Sequence, residues 1–168
     1  FNRVDRDKNG VLNLYELQTA LHNDDSSAFK ISTIKTLIKN FVPQKEIDYL
    51  IDFEDFKKLY KEIITWRNIF KQFDLDNSFT IDFSEFVSSI EKIGFSLPEN
   101  LNRFIFNKFS YKNPSSLNNE MKFDSFVESI LLIISLTKTF VKYRTQEDFN
   151  YAKISYPDFL EEFVKLIA

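Results

Sequence analysis

The 168-residue chain is 43% hydrophobic and 28% charged, enough apolar sequence for one domain with a substantial core. Its 22 basic and 25 acidic residues leave a net charge of -3, which supplies no electrostatic footprint for nucleic acid. Cysteine is absent, which excludes disulfides, thiolate metal sites and cysteine nucleophiles within these residues, and the longest apolar run, around Ile130 to Leu136, is far short of the roughly 20 residues that cross a bilayer.

A pair of apolar residues five apart recurs along the chain: Leu12/Leu17, Ile51/Phe56, Ile81/Phe86, Met121/Phe126 and Ile154/Phe159. Upstream of each pair lies a helical apolar pattern, as in Leu37, Ile38 and Phe41, or Ile69, Phe70 and Phe73. The spacing predicts an all-α array of five helix-loop-helix hands, with a short strand crossing each loop and pairing with a neighbour. In chain order the hands are expected at 1–21, 30–60, 61–93, 99–130 and 131–168, one domain in all. The sequence opens at Phe1, four residues before the first loop, so the helix entering that loop is expected to be truncated, as in a fragment of a longer protein. His22 to Ser27 and Gly94 to Pro98 are turn-prone. By contrast, Phe56 to Phe73 and Phe126 to Tyr143 each run 18 residues without Pro or Gly, about five helical turns. Each of these is expected to be one long helix that leaves one hand and enters the next.

The five loops, 5–16, 42–55, 74–85, 110–125 and 144–158, are 12, 14, 12, 16 and 15 residues long. A hard divalent cation such as calcium takes six to eight oxygens, so a loop must present carboxylates and carbonyls at alternating positions around a sharp turn. The first loop does so. Asp5, Asp7 and Asn9 hold positions 1, 3 and 5, Gly10 the hinge at 6, the Val11 carbonyl position 7, Asn13 position 9 through water, and Glu16 position 12. A solvated acidic turn would not require Gly10, Leu12 and Glu16 to fall together in register. The third loop is complete in ligands, with Asp74, Asp76, Ser78, the Thr80 carbonyl, Asp82 and Glu85, but Phe79 stands at its hinge. A bulky residue at positive φ costs on the order of 1–3 kcal/mol, so weaker binding is expected there. Loops two, four and five lack the donor pattern and are expected to be structural.

Five hands, two long shared helices and ligands confined to hands one and three resemble the penta-EF-hand family. The first hand, FNRVDRDKNGVLNLYELQTAL, and the helix ITWRNIF entering hand three carry the resemblance most closely. It departs at Phe79, in four extra residues in loop four, and in the lengthened loop five. The family's Gly/Pro-rich N-terminal segment has no counterpart in these residues. The resemblance implies a fifth hand that binds no physiological calcium and pairs with its counterpart in another chain, across Arg144 to Ala168. An odd hand leaves a strand edge open to a copy of itself, which gives the same expectation a physical basis.

The leading functional expectation is a non-catalytic calcium sensor and adaptor. Calcium, with magnesium as a resting alternative, would occupy loops one and three and alter an apolar groove for proline-rich partner peptides, with Trp66 as the candidate groove wall. Homodimer and heterodimer with a related chain both stay open, and calcium-dependent peripheral association with membranes is a further expectation. The alternative is a regulatory subunit or C-terminal portion of a calpain-like cysteine protease. These residues hold no protease dyad, having no Cys and the single His22. Absence of a visible signal segment, together with the family, leads us to expect a cytoplasmic protein recruited to membranes on calcium.

Overall fold

Three of the helices start where a short polar side chain takes free backbone N–H groups of the first turn. Asn13 opens α1 (Leu14–Ala20) by accepting from the N–H groups of Tyr15 and Glu16. Asp52 opens α3 (Phe53–Phe73) through the Asp55 N–H, and Asp82 opens α4 (Phe83–Ile93) through the Glu85 N–H. Between α1 and α3 lie α2 (Ile31–Phe41) and a single 3-10 turn, Pro43–Lys45. Gly94 closes α4 at φ 111°, with the Phe95 N–H reaching back to the Ile90 carbonyl, a left-handed helix end that glycine adopts without Cβ strain. Then follow α5 (Glu99–Phe109), a hairpin of β1 (Tyr111–Lys112) and β2 (Asn119–Glu120), α6 (Phe123–Tyr143) and α7 (Tyr156–Ile167). The architecture comes from a computed structural model, which describes residues 1–167, with side chains through Lys165. Ala168, the last residue of the expected fifth hand, lies outside the described residues.

The two long helices are present: α3 and α6 each run 21 residues and begin three residues before the stretches expected from sequence. Most of the expected loop pairings form as single antiparallel bridges. Leu12 pairs with Ile51, and Ile81 with Met121, each through two backbone hydrogen bonds of 2.7–2.9 Å. These four anchors are fully buried, and Leu17, Phe86 and Phe126 join them in the core. The chain divides into two compact units, Phe1–Ile130 and Leu131–Ala168, with the boundary inside α6.

In the first unit the core is aromatic. Phe70 of α3 lies 5.3 Å from Phe123 and 5.5 Å from Phe126, and Phe29 reaches Phe123 at 5.7 Å. Trp66 is only 4% exposed, its ring 5.8 Å from Phe41. It is therefore core and forms no groove wall, which corrects the sequence expectation: α3 turns this face inward together with Ile63 and Phe70, where burying an indole is strongly favourable.

The turn-prone segment 22–27 is a polar clamp within the same unit. It closes through the His22/Ala28 bridge, and the buried Asn23 side chain accepts from the Asp124 N–H at the start of α6 at 2.8 Å. Arg67 of α3 pairs with Asp24, donates to the His22 carbonyl and lies 4.4 Å above the Phe123 ring. Lys122 meets Asp25 at 2.8 Å.

The second unit contains the rest of α6, the loop and α7. Its loop folds back on itself through an Arg144/Ala152 bridge. Glu162 of α7 is held by Lys142 at 2.6 Å and by the Tyr143 hydroxyl at 3.3 Å. Unlike the four preceding pairs, the fifth repeat pair is not buried: Ile154 is partly exposed and Phe159 is 50% exposed. Among the described residues no helix is long and apolar enough to cross a membrane.

Candidate metal centre

The loop from Asp5 to Glu16 is built by its own carboxylates bonding to its own backbone. Asp5 Oδ1 accepts from the Asn9 N–H at 3.2 Å and Oδ2 from the Gly10 N–H at 3.1 Å, wrapping the chain around the first carboxylate. Asp7 accepts from the Asn9 N–H at 3.1 Å and from its Nδ2 at 2.9 Å, and Asn9 Oδ1 accepts from the Val11 N–H at 2.9 Å. The turn needs positive φ twice, at Lys8 (57°) and Gly10 (82°). Space is not the constraint at Gly10, because a Cβ there would meet nothing within 4 Å. What glycine supplies is the dihedral alone.

Glu16 closes the loop. Its Oε1 accepts from the Arg6 N–H at 2.9 Å and its Oε2 from the Asn13 N–H at 3.1 Å, so the position-12 carboxylate is also the return half of the α1 capping box. Asp5 and Glu16 are buried, and the ligand oxygens of Asp5, Asp7 and Glu16 all lie within 4.8 Å of one another. Among the described residues no other trio of His, Cys, Asp or Glu converges so closely. The donors are oxygens only, with the Val11 carbonyl and the Asn9 amide beside three carboxylates, which is the set a hard cation of calcium's kind accepts and a soft one does not.

The loop from Asp74 to Glu85 repeats the plan. Asp74 accepts from the Ser78 and Phe79 N–H groups at 2.9 and 3.0 Å, and Glu85 from the Leu75 and Asp82 N–H groups at 3.1 and 3.0 Å. Asn77 and Phe79 take positive φ, 56° and 63°. Phe79 thus occupies the left-handed conformation inferred for the hinge, with its ring 50% exposed. Burial pushes the Asp74 and Glu85 carboxyls above their ordinary values, and the neighbouring Asp76 adds to both. Hydrogen bonds from Ser78 hold Asp76 below its own. A cation would relieve the two carboxylates, Asp74 and Glu85, whose charge burial and neighbouring acids disfavour.

One difference between the loops lies at position 5. Asn9 Oδ1 and Ser78 Oγ both accept from the position-7 N–H, at 2.9 and 3.3 Å, but the Ser78 hydroxyl also carries a proton and sits 3.0 Å from the Thr80 carbonyl, the expected ligand at position 7, and 2.9 Å from the Thr80 hydroxyl. The sequence reading places Asn13 as a ligand through water and Asp82 among the ligands of loop three, both at position 9. They are also the N-caps of α1 and α4, a role that the Asn-x-x-Glu and Asp-x-x-Glu spacings signal directly.

In the other loops the acids serve the fold. Asp52 caps α3, Asp48 accepts from the Leu50 N–H, and Glu120 of loop four binds Asn113, Ser116 and Thr80 side chains. In loop five Asp148 accepts from the Asn150 N–H and Asp158 from the Ser155 hydroxyl.

The geometry can be set beside known proteins. Peflin of Saccharomyces cerevisiae is 34% identical over 147 residues, covering 87% of this chain and 43% of the relative. Probable calcium-binding protein CML49 of Arabidopsis thaliana is 31% identical over 140 residues, 83% of this chain and 40% of the relative. The solved structure of a homolog of programmed cell death 6 protein from Leishmania major Friedlin superposes with a TM-score of 0.77 over 99% of this chain and 87% of that one, at 22% identity. The chain belongs to the calcium-binding penta-EF-hand family. No family model matches it. As a penta-EF-hand chain it spans about half the length of the curated relatives it matches, 43% of the yeast Peflin and 54% of the human one.

Proposed function

We propose that this penta-EF-hand chain is a calcium sensor and adaptor that binds the ion in its first and third hands and dimerises through its fifth. In the first hand Asp5, Asp7, Asn9, the Val11 carbonyl and Glu16 would hold calcium. In the third, Asp74, Asp76, Ser78, the Thr80 carbonyl and Glu85 would do so more weakly. When bound, the ion supplies charge neutralisation and no chemistry of its own. The chain's part is to bring carboxylates together and to tie them, through Glu16 and Glu85, to the first turns of α1 and α4. The observation that carries the reading is the convergence of Asp5, Asp7 and Glu16 oxygens within 4.8 Å on backbone N–H groups that pre-order the loop. Magnesium is the candidate resting occupant, since it accepts the same oxygens.

Dimerisation is supported by the second unit. Phe159, Leu160, Phe163 and Val164 of α7 are all exposed, and the Ile154/Phe159 pair has its counterparts buried in every other hand. A second copy or a related chain would cover them. Proline-rich peptides are the proposed cargo, and the cytoplasm, with calcium-dependent recruitment to membranes, the proposed location. The reading is tested by calcium calorimetry on the wild type, Glu16→Gln and Glu85→Gln. Two events are expected in the wild type and one in each variant, whereas two events surviving in Glu16→Gln would overturn the assignment of hand one. Sedimentation with calcium and with chelator, on the wild type and Phe163→Glu, tests the dimer, which the charged variant is expected to dissociate.

A further inference from the structure

Loop four carries four residues more than a 12-residue loop and has no ligand pattern of its own, yet it is well structured. Its extra length forms the β1/β2 hairpin, whose register, Tyr111 with Glu120 and Lys112 with Asn119, places Glu120 immediately before Met121. Met121 pairs with Ile81, so Glu120 is delivered beside Thr80, at position 7 of loop three. There the Glu120 carboxylate is held by Asn113 Nδ2 and Ser116 Oγ, each at 2.7 Å, and Oε2 accepts from the Thr80 hydroxyl at 3.2 Å.

The chemistry at that junction is a question of which way hydroxyl protons point. Ser78 Oγ accepts from the Thr80 N–H at 3.3 Å and has one proton for three candidate acceptors, Thr80 Oγ1 at 2.9 Å, the Thr80 carbonyl at 3.0 Å and, farther off, Asp74 Oδ1 at 3.4 Å. An ionised carboxylate only accepts, so Glu120 takes the Thr80 proton and leaves Thr80 Oγ1 with lone pairs facing Ser78. Ser78 can then give its proton to Thr80 Oγ1. That direction frees the Thr80 carbonyl, turns a Ser78 lone pair toward the loop interior, and keeps protons away from two oxygens that a cation needs. With no acceptor at Glu120 the chain has no preferred sense, and the Ser78 hydroxyl competes for the carbonyl.

We propose that Glu120, from the loop of the fourth hand, is a positioning residue for calcium in the third hand, acting through the Thr80 and Ser78 hydroxyls. The inference rests on hand three binding calcium. Orientation of ligands by outer hydrogen-bonding partners is a general property of metal sites. It assigns a use to a loop that has lost its own site, and it makes the affinity of hand three depend on the integrity of the hairpin in hand four.

The test is calcium calorimetry in a Glu16→Gln background, where hand three is read alone. Glu120→Ala, which leaves no acceptor for the Thr80 hydroxyl, is expected to weaken that event by about tenfold, in the range usual for outer partners of metal ligands. Thr80→Val, which keeps the backbone carbonyl and removes the hydroxyl, is expected to weaken it comparably, and Glu120→Ala added to Thr80→Val to cost no further loss. The affinity of hand one, read in a Glu85→Gln background, is expected to stay unchanged in Glu120→Ala, which a general loosening of the fold would not allow. Unchanged hand-three affinity in Glu120→Ala, or an equal loss with and without the Thr80 hydroxyl, overturns the proposal. Absence of any event in Glu16→Gln alone overturns the hand-three reading itself, and this inference with it.

Discussion

Replacing Phe79 by glycine separates backbone strain from ligand chemistry, because the ligands of loop three stay in place. Phe79 stands at φ 63° with its N–H on Asp74 Oδ2 at 3.0 Å, the conformation that Gly10 takes at 82° with the corresponding bond to Asp5. For a bulky side chain that conformation costs about 1–3 kcal/mol. Glycine removes the strain but brings back about 0.5–1 kcal/mol of conformational entropy to be lost on ordering. The ring is half exposed, so its removal takes little from the core. The balance favours the variant by about 0.5–2 kcal/mol, or roughly twofold to thirtyfold in calcium affinity where the free loop relaxes to negative φ. The assay is calorimetry of Phe79→Gly in a Glu16→Gln background, with the melting midpoint measured in chelator alongside it. A loop that stays strained in both states would raise the midpoint and leave the affinity alone. If affinity and midpoint are both unchanged, the assignment of strain to Phe79 is refuted.

Two further outcomes follow from the clamp in the first unit. Burial alone would raise the Asp25 carboxyl, but hydrogen bonds from Lys122 and Ser27 outweigh it and bring it to about 2, from an ordinary 3.8. A depressed folded value means stability that is present above pH 4 and lost as pH falls through the range from about 4 to 2. Asp25 is about one-third exposed, so solvent screening reduces the contribution to about 1 kcal/mol. Asp25→Asn should therefore unfold in less urea than the wild type at pH 6 and match it near pH 2; a constant gap would refute the ionic origin. Arg67→Ala leaves Asp24 without its main partner and uncovers the Phe123 ring, and is expected to cost about 2–4 kcal/mol in urea unfolding. Arg67→Lys should restore only part of this, since an ammonium cannot serve a carboxylate and a carbonyl in one plane while lying on a ring.

What could be read from sequence was what repeats locally. Leu12, Ile51, Ile81 and Met121 lie five residues ahead of a second anchor, and all four are buried bridge residues. The long helices were legible because no Pro or Gly interrupts them. The hinge at Phe79 was legible because the loop numbering demands positive φ whatever residue stands there. What escaped depends on partners far along the chain. Asn23 bonds to Asp124, Lys30 to Ser125 and Thr33 to Glu128, each across more than ninety residues that no local period connects. Trp66 looked like a recognition surface because its type suggested one, while its burial is decided by Phe41 on another helix. Loop four was read as a degenerate hand by its missing ligands, and nothing in its spacing announced a hairpin that carries Glu120 to Thr80.

Glu16 belongs at once to a loop and to a helix. Its oxygens are already engaged by the N–H groups of Arg6 and Asn13, and the second of these bonds defines where a helix of only seven residues begins. Each of those oxygens keeps a lone pair for a second partner, so the carboxylate that would meet an ion is already fixed to the start of α1, and any shift of that carboxylate is passed to the first turn of the helix.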